Sequence, residues 1–175
     1  MKFNKVFMKI LFFIILSIPC ANANQKIVFI DVQLILSESI SGKYMNSNIN
    51  IIQNEKIKEF KKKRENFQNE DKKLLGKKNI LEKSKFEEQV INLRNKILDF
   101  NKEKKIFSNN LNKKKLNGTN QILNTLNLIL TDYATKNSIS LILQKKNILL
   151  GENSIDITQD ILKLLDNKIK KINLK

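Results

Sequence analysis

The chain has 175 residues, 33 Lys and Arg against 17 Asp and Glu, a formal net charge of +16, one Cys, one Pro and no His or Trp. Without His, and with its one Cys at position 20, it lacks the usual zinc ligands and the common imidazole base. No P-loop, G-x-G-x-x-G or G-x-S-x-G occurs, so the chain is read as a non-enzyme with no catalytic residues, no cofactor and no metal.

Lys2, Lys5 and Lys9 precede an apolar run from Ile10 to Ile18, and Ala21-Asn22-Ala23 follows. That order is the layout of a secretory signal peptide, residues 1–23, cut after Ala23. The apolar run is shorter than the ~20 residues a membrane span needs, which disfavours the other reading, a retained anchor. Cys20 suggests a lipoprotein, but Pro19 stands where a small residue is expected. An exported chain that has lost its only Cys has no disulfides, so helix packing and oligomerisation must supply its stability.

Lys26-Ile27-Val28-Phe29-Ile30-Asp31-Val32 is a β-branched and aromatic run that predicts a buried strand. A short helix through Leu34, Ile35 and Leu36 follows, with Asp31 as its N-cap in preference to a catalytic carboxylate. The small, polar stretch from Ser37 to Gly42 leads into two long helices between Tyr44 and Lys136. In the second, Phe86, Val90, Leu93, Ile97, Phe100, Phe107 and Leu111 recur at steps of four and three, broken by Lys104, Lys114 and Gly118. That is a coiled-coil seam. The first shows a weaker seam through Ile57, Phe60, Phe67 and Leu74, interrupted by Arg64 and Asp71, with Met45, Ile49 and Ile52 on a shifted register. Gly76 is expected to end the first helix in a left-handed conformation. Ser84 is expected to cap the second, with Glu87 completing a capping box. The helices then form an arm, the first roughly 50 Å long.

Beyond the arm, Ile122, Leu126, Ile129 and Tyr133 continue the stripe, widened by Leu123 and Leu130, which implies packing in a core. Ile139 to Gln144 and Ile148 to Gly151 are two apolar runs split by Lys145-Lys146-Asn147, expected as a β-hairpin. Asp156 is expected to cap a last helix, with Gln159 in the capping-box position and Ile161, Leu165, Ile169 and Ile172 on its apolar face. The fold class is therefore α+β. A small sheet of three short strands per chain, shared in an oligomer, carries a long antiparallel helical hairpin. The body comprises residues 24–43 and 118–175, and the arm residues 44–117. Strands apolar at successive positions need cover on both faces, so Val28, Phe29, Ile30, Leu141, Leu143 and Leu149 are the candidate oligomerisation core, the second face being covered by other copies.

The opening Lys26 to Val32 with the later Ser41-Gly42-Lys43, the runs Ile139 to Leu143 and Ile148 to Leu150, and Asp156-Ile157-Thr158 resemble the Skp/OmpH periplasmic chaperones of Gram-negative bacteria. The resemblance spans essentially the whole chain after residue 23. It implies a periplasmic homotrimer whose helical arms enclose a cavity and hold unfolded outer-membrane proteins soluble without ATP. Lys, Asn and Ile are unusually frequent for that family. Its lipopolysaccharide-binding residues do not align with positions here, and none is assigned.

From Lys43 to Lys115 the chain holds 21 basic and 10 acidic residues, a net of +11. Lys61, Lys62, Lys63, Arg64, Lys113, Lys114 and Lys115 are the candidate client-binding residues. A basic wall attracts acidic unfolded chains and anionic lipid or lipopolysaccharide surfaces. Export removes nucleic acid as a partner. An AT-rich coding bias also yields Lys, Asn and Ile together, though it accounts less readily for their concentration in the arm. The five arm phenylalanines are assigned to the seam by their heptad spacing. A second reading of the whole is a basic coiled-coil spacer, an architectural protein of the cell envelope; it leaves the sheet-forming ends without a purpose.

Overall fold

The β-branched run Lys26–Ile30 forms strand β1 in the computed structural model, which describes residues 25–174. The expected signal peptide lies outside the described residues. Val28 and Ile30 turn into the core, and Phe29 turns the other way. β1 pairs in parallel with β2 (Ile139–Gln144), Val28 opposite Ile142 and Phe29 opposite Leu143. Parallel neighbours need a long crossover, and the helices between them supply it.

Asp31 stops β1 and starts α1 (Val32–Glu38), its Oδ1 accepting the Leu34 amide at 2.9 Å, the capping role its position predicts. Ser39 ends α1 and caps α2 (Ile40–Gly76), its Oγ accepting the Gly42 amide at 3.0 Å. A Cβ on Gly42 would lie 1.9 Å from the Leu36 carbonyl oxygen, so the turn between α1 and α2 admits no side chain there. α3 (Lys83–Lys136) returns along α2, and α4 (Thr158–Lys168) packs on its C-terminal part. Ile35, Ile122, Ile161 and Leu165, each fully buried, come together from three helices in one core with Val28 and Ile30.

Several local expectations are corrected. Among the described residues there are two strands, not three. No hairpin joins β2 to Ile148–Leu150, because a 3-10 turn at Lys145–Asn147 sends the chain across β1 instead of back along β2. The returning segment meets β1 at one bridge, Phe29 to Asp156, and the Ile157 amide donates to the Phe29 carbonyl at 3.0 Å. Gly76 is the last residue of α2 and Lys77, in right-handed conformation, ends it, so no left-handed glycine is used. α3 begins before Ser84, with Glu82 at its N-cap. α4 stops at Lys168, and Ile169 is already extended.

Asp156 caps α4 one residue further out than the helix boundary, its Oδ1 accepting the Thr158 amide at 2.9 Å and the Thr158 hydroxyl as well. The same hydroxyl oxygen accepts the Asp31 amide at 2.9 Å, tying the two ends of the chain together. Burial pushes the Asp156 carboxyl up, but the Thr158 hydroxyl and amide and the Lys145 ammonium offset this and hold it below its ordinary value. A carboxyl depressed in the folded state contributes stability that is present above its unfolded pKa of about 4 and is lost as pH falls through the folded value. Thr158→Val should leave the Asp31 amide without its acceptor and cost about 1–3 kcal/mol. The expected readout is a lower urea midpoint at unchanged slope; an unchanged midpoint would mean the tie contributes nothing.

Candidate functional site

The seam between α2 and α3 is built from aromatic side chains. The Phe60 ring meets Phe100 edge-on at 5.5 Å and Phe107 at 5.7 Å, and Phe67 meets Phe100 at 5.5 Å. Leu74 and Leu93 are buried further along. The partners run in opposite order along the two helices, from Met45 beside Thr119 to Glu70 beside Lys96. Phe60, Phe67, Phe100 and Phe107 are thus seam residues, as their spacing predicts. Ile57 is not: it is 51% exposed, and the Lys56 ammonium lies over the Phe60 ring instead, 5.0 Å from its centre.

Lys56, Glu59, Lys63 and Glu103 form a network across the same level. Lys56 and Lys63 reach Glu103 at 2.8 and 2.7 Å and Glu59 at 2.7 and 3.1 Å. Hydrogen bonds from Lys56, then Lys63, hold both carboxyls below their ordinary values. Of the seven candidate client-binding cations, Lys63 is therefore engaged. Lys114 is engaged too, its Nζ donating to the Leu174 carbonyl at 2.7 Å. Lys61, Lys62, Arg64, Lys113 and Lys115 are exposed. The two clusters stay apart: facing pairs place Lys113–Lys115 opposite about residue 50 of α2, roughly 20 Å along the hairpin from Lys61–Arg64.

Large aliphatic side chains stand exposed among these lysines. Ile51, Ile57 and Leu75 on α2, Ile80 at the tip, and Ile91, Leu98, Ile106 and Leu116 on α3 are each more than half exposed. A seam one side chain deep leaves the outer faces of both helices uncovered.

The candidate oligomerisation residues separate into two groups. Val28 and Ile30 are buried in the core of the single chain. Phe29, 4% exposed, is covered by the chain's own loop through Ile148 and Gly151, with the Lys145 ammonium 5.7 Å from its ring centre. Leu141, Leu143 and Leu149 are 48%, 37% and 107% exposed. Leu149 and Leu150 stand exposed on the loop after β2, while Leu141 and Leu143 make, with Ile27, an apolar patch on the outer side of the sheet. An open groove of about 580 Å3 between the ends of the strands and α3 adjoins it, lined by Ile30, Leu123, Leu126, Ile142 and Leu143 among others.

The last residues are a feature sequence reasoning missed. Ile172 is buried, and with Leu174 it lies against Gly118 and Met45, where α3 meets the start of α2. Gly118, a break in the heptad pattern, was the available signal.

A family model described as outer membrane protein (OmpH-like) matches residues 26–165. A solved structure from Caulobacter crescentus CB15, called an OmpH-like outer membrane chaperone, superposes with a TM-score of 0.78 at 19% identity, over 85% of this chain and 88% of that one. At that identity the likeness concerns the fold. A search of curated proteins finds no match.

Proposed function

This chain belongs to the OmpH-like family, and on that premise we propose that it is an ATP-independent periplasmic holdase, which keeps unfolded outer-membrane proteins soluble between its helical arms. The observation that carries this reading is the hairpin's outer surface, where exposed aliphatic side chains from Ile51 to Leu116 alternate with lysines. Apolar side chains hold segments of many sequences because burial is non-directional. The lysines draw an acidic chain in before contact.

Several copies are needed to make a cavity from single arms. The apolar patch around Leu141 and Leu143 supports a homo-oligomer, with a trimer as the stoichiometry the family resemblance implies. In this reading residues 24–43 and 118–175 form the shared body, residues 44–117 an antiparallel arm, and residues 1–23 a signal peptide removed during export. An envelope spacer would need neither a core linking both ends of the chain nor exposed aliphatics along its length.

The deciding experiment dilutes a denatured outer-membrane β-barrel protein into the mature chain and follows light scattering. Suppression at about one oligomer per client is expected. Scattering unchanged by the protein would overturn the holdase reading in favour of the spacer.

Capture should be electrostatic and holding apolar. The rate of client association, by stopped-flow fluorescence, should fall as salt rises from about 50 to about 500 mM, where the screening length drops from ~14 to ~4 Å. The release rate should change far less. Neutralising Lys61, Lys62 and Arg64 together should slow association and leave stability nearly unchanged, as expected of exposed charges. Lys63 is excluded because it bridges the two helices. A salt-independent association rate would remove the capture step.

A further inference from the structure

The end of the chain is held in the way a bound peptide is held. We propose that the groove around Gly118 is a binding site for extended peptide segments with aliphatic side chains two residues apart, and that the chain's own tail occupies it at rest.

Three observations carry this. The chain leaves α4 at Lys168 and continues without regular structure, Ile169 being extended at φ −144° and ψ 121°. The side chains of Ile172 and Leu174, two residues apart, enter the space that the missing side chain of Gly118 leaves. A Cβ there would stand 2.7 Å from Ile172 Cδ1, 2.9 Å from Met45 Sδ and 3.0 Å from Leu174 Cδ2. Between them the main chain of Asn173 is held by the Gln121 carboxamide, its amide donating to Gln121 Oε1 at 3.0 Å and its carbonyl accepting from Gln121 Nε2 at 2.7 Å. Lys114 Nζ donates to the next carbonyl, that of Leu174.

The contacts from Gln121 and Lys114 reach the tail's backbone, so any extended segment offers those groups. Selection rests on the two aliphatic positions at the i, i+2 spacing of a strand. Main-chain hydrogen bonds for affinity and alternate side-chain pockets for preference are how extended peptides are generally recognised. Segments that become strands of a membrane barrel alternate apolar and polar residues in this way. Identifying such segments as the natural ligand rests on the chaperone reading; the groove itself does not. A tethered tail competes at an effective concentration on the order of millimolar, so it screens out weak ligands and yields to segments that fit better.

The probe is a fluorescein-labelled synthetic peptide repeating the sequence from Lys170 to Lys175, titrated by anisotropy into the full mature chain. With Ile172→Asp and Leu174→Asp together, the tail leaves the groove, and the peptide should bind about tenfold tighter or better than to the unaltered chain. Adding Gly118→Leu to that variant should abolish binding by filling the groove. Equal affinity with and without the tail substitutions, or binding that survives Gly118→Leu, overturns the proposal. A second measurement needs no variant: excess unlabelled peptide should speed hydrogen exchange at the Asn173 amide of the unaltered chain, and unchanged exchange counts against displacement. Light scattering with a denatured barrel protein separates the two readings. Suppression unaffected by Gly118→Leu leaves the chaperone function standing and removes the groove as a client site. Failure of the unaltered chain to suppress removes the chaperone function, while the peptide titration still decides the groove.

Discussion

Leu141→Asp combined with Leu143→Asp should convert the proposed oligomer into folded monomers. Both side chains lie on the outer side of the sheet, Leu141 opposite Ile27 and Leu143 opposite Phe29, and both are well exposed in the single chain. A carboxylate at either position therefore meets water in the monomer and costs the fold little. In the proposed oligomer the same carboxylates would be buried without partners, at several kcal/mol each, and symmetry repeats that cost at every interface. A two-stranded sheet has little stability alone, and β2 has one edge without a ladder partner among the described residues, so the patch has reason to be covered. Phe29 is a poor reporter of assembly, because it is buried by its own chain and Phe29→Asp would damage the monomer directly. Sedimentation should show the double variant as a monomer with its far-ultraviolet helical signal retained. A fully assembled variant would show that copies meet through another surface.

The places where sequence and structure part company share a cause: spacing along a chain reports a face, and says little about what covers it. The phenylalanine seam was legible because a period of 3.5 residues has one structural meaning over a long stretch. The strands Lys26–Ile30 and Ile139–Gln144 were legible by composition, but their parallel pairing was not, since alternation carries no information about a strand's neighbour. Ile148–Leu150 resembled a third strand because leucines exposed on a single chain look, in sequence, like leucines in a core. Ile169 and Ile172 fall at helical spacing after Leu165, and no Gly or Pro marks the break at Lys168, so by spacing the tail reads as helix. The lysine clusters were visible as clusters. That Lys63 is tied to Glu103, forty residues away, and Lys114 to the tail carbonyl, is tertiary information.

Phe100→Ala should loosen the outer hairpin while leaving the body folded. Phe100 is 7% exposed and, among the described residues, its ring meets both Phe60 and Phe67. Truncating a buried phenylalanine costs about 3–5 kcal/mol, of which edge-to-face pairing accounts for roughly 0.5–1.5 kcal/mol per contact. In a globular core that loss is spread over many neighbours. Here the seam is flanked by solvent, and the ion pairs that help close it, Lys63–Glu103 and Lys96–Glu70, are exposed enough to add little. The region from Phe60 to Phe107 should therefore open locally, as a unit of lower stability than the rest. Hydrogen exchange should accelerate there and stay slow at Ile122, Ile161 and Leu165, which pack in the core with β1 and α1. Phe100→Leu should cost less, because it keeps much of the buried area. Equal acceleration at the core amides would show that arm and body unfold as one cooperative unit. An arm that opens by itself changes the spacing of its exposed aliphatic side chains without disturbing the proposed assembly at its base. A holdase for clients of unequal size needs that separation of the two stabilities.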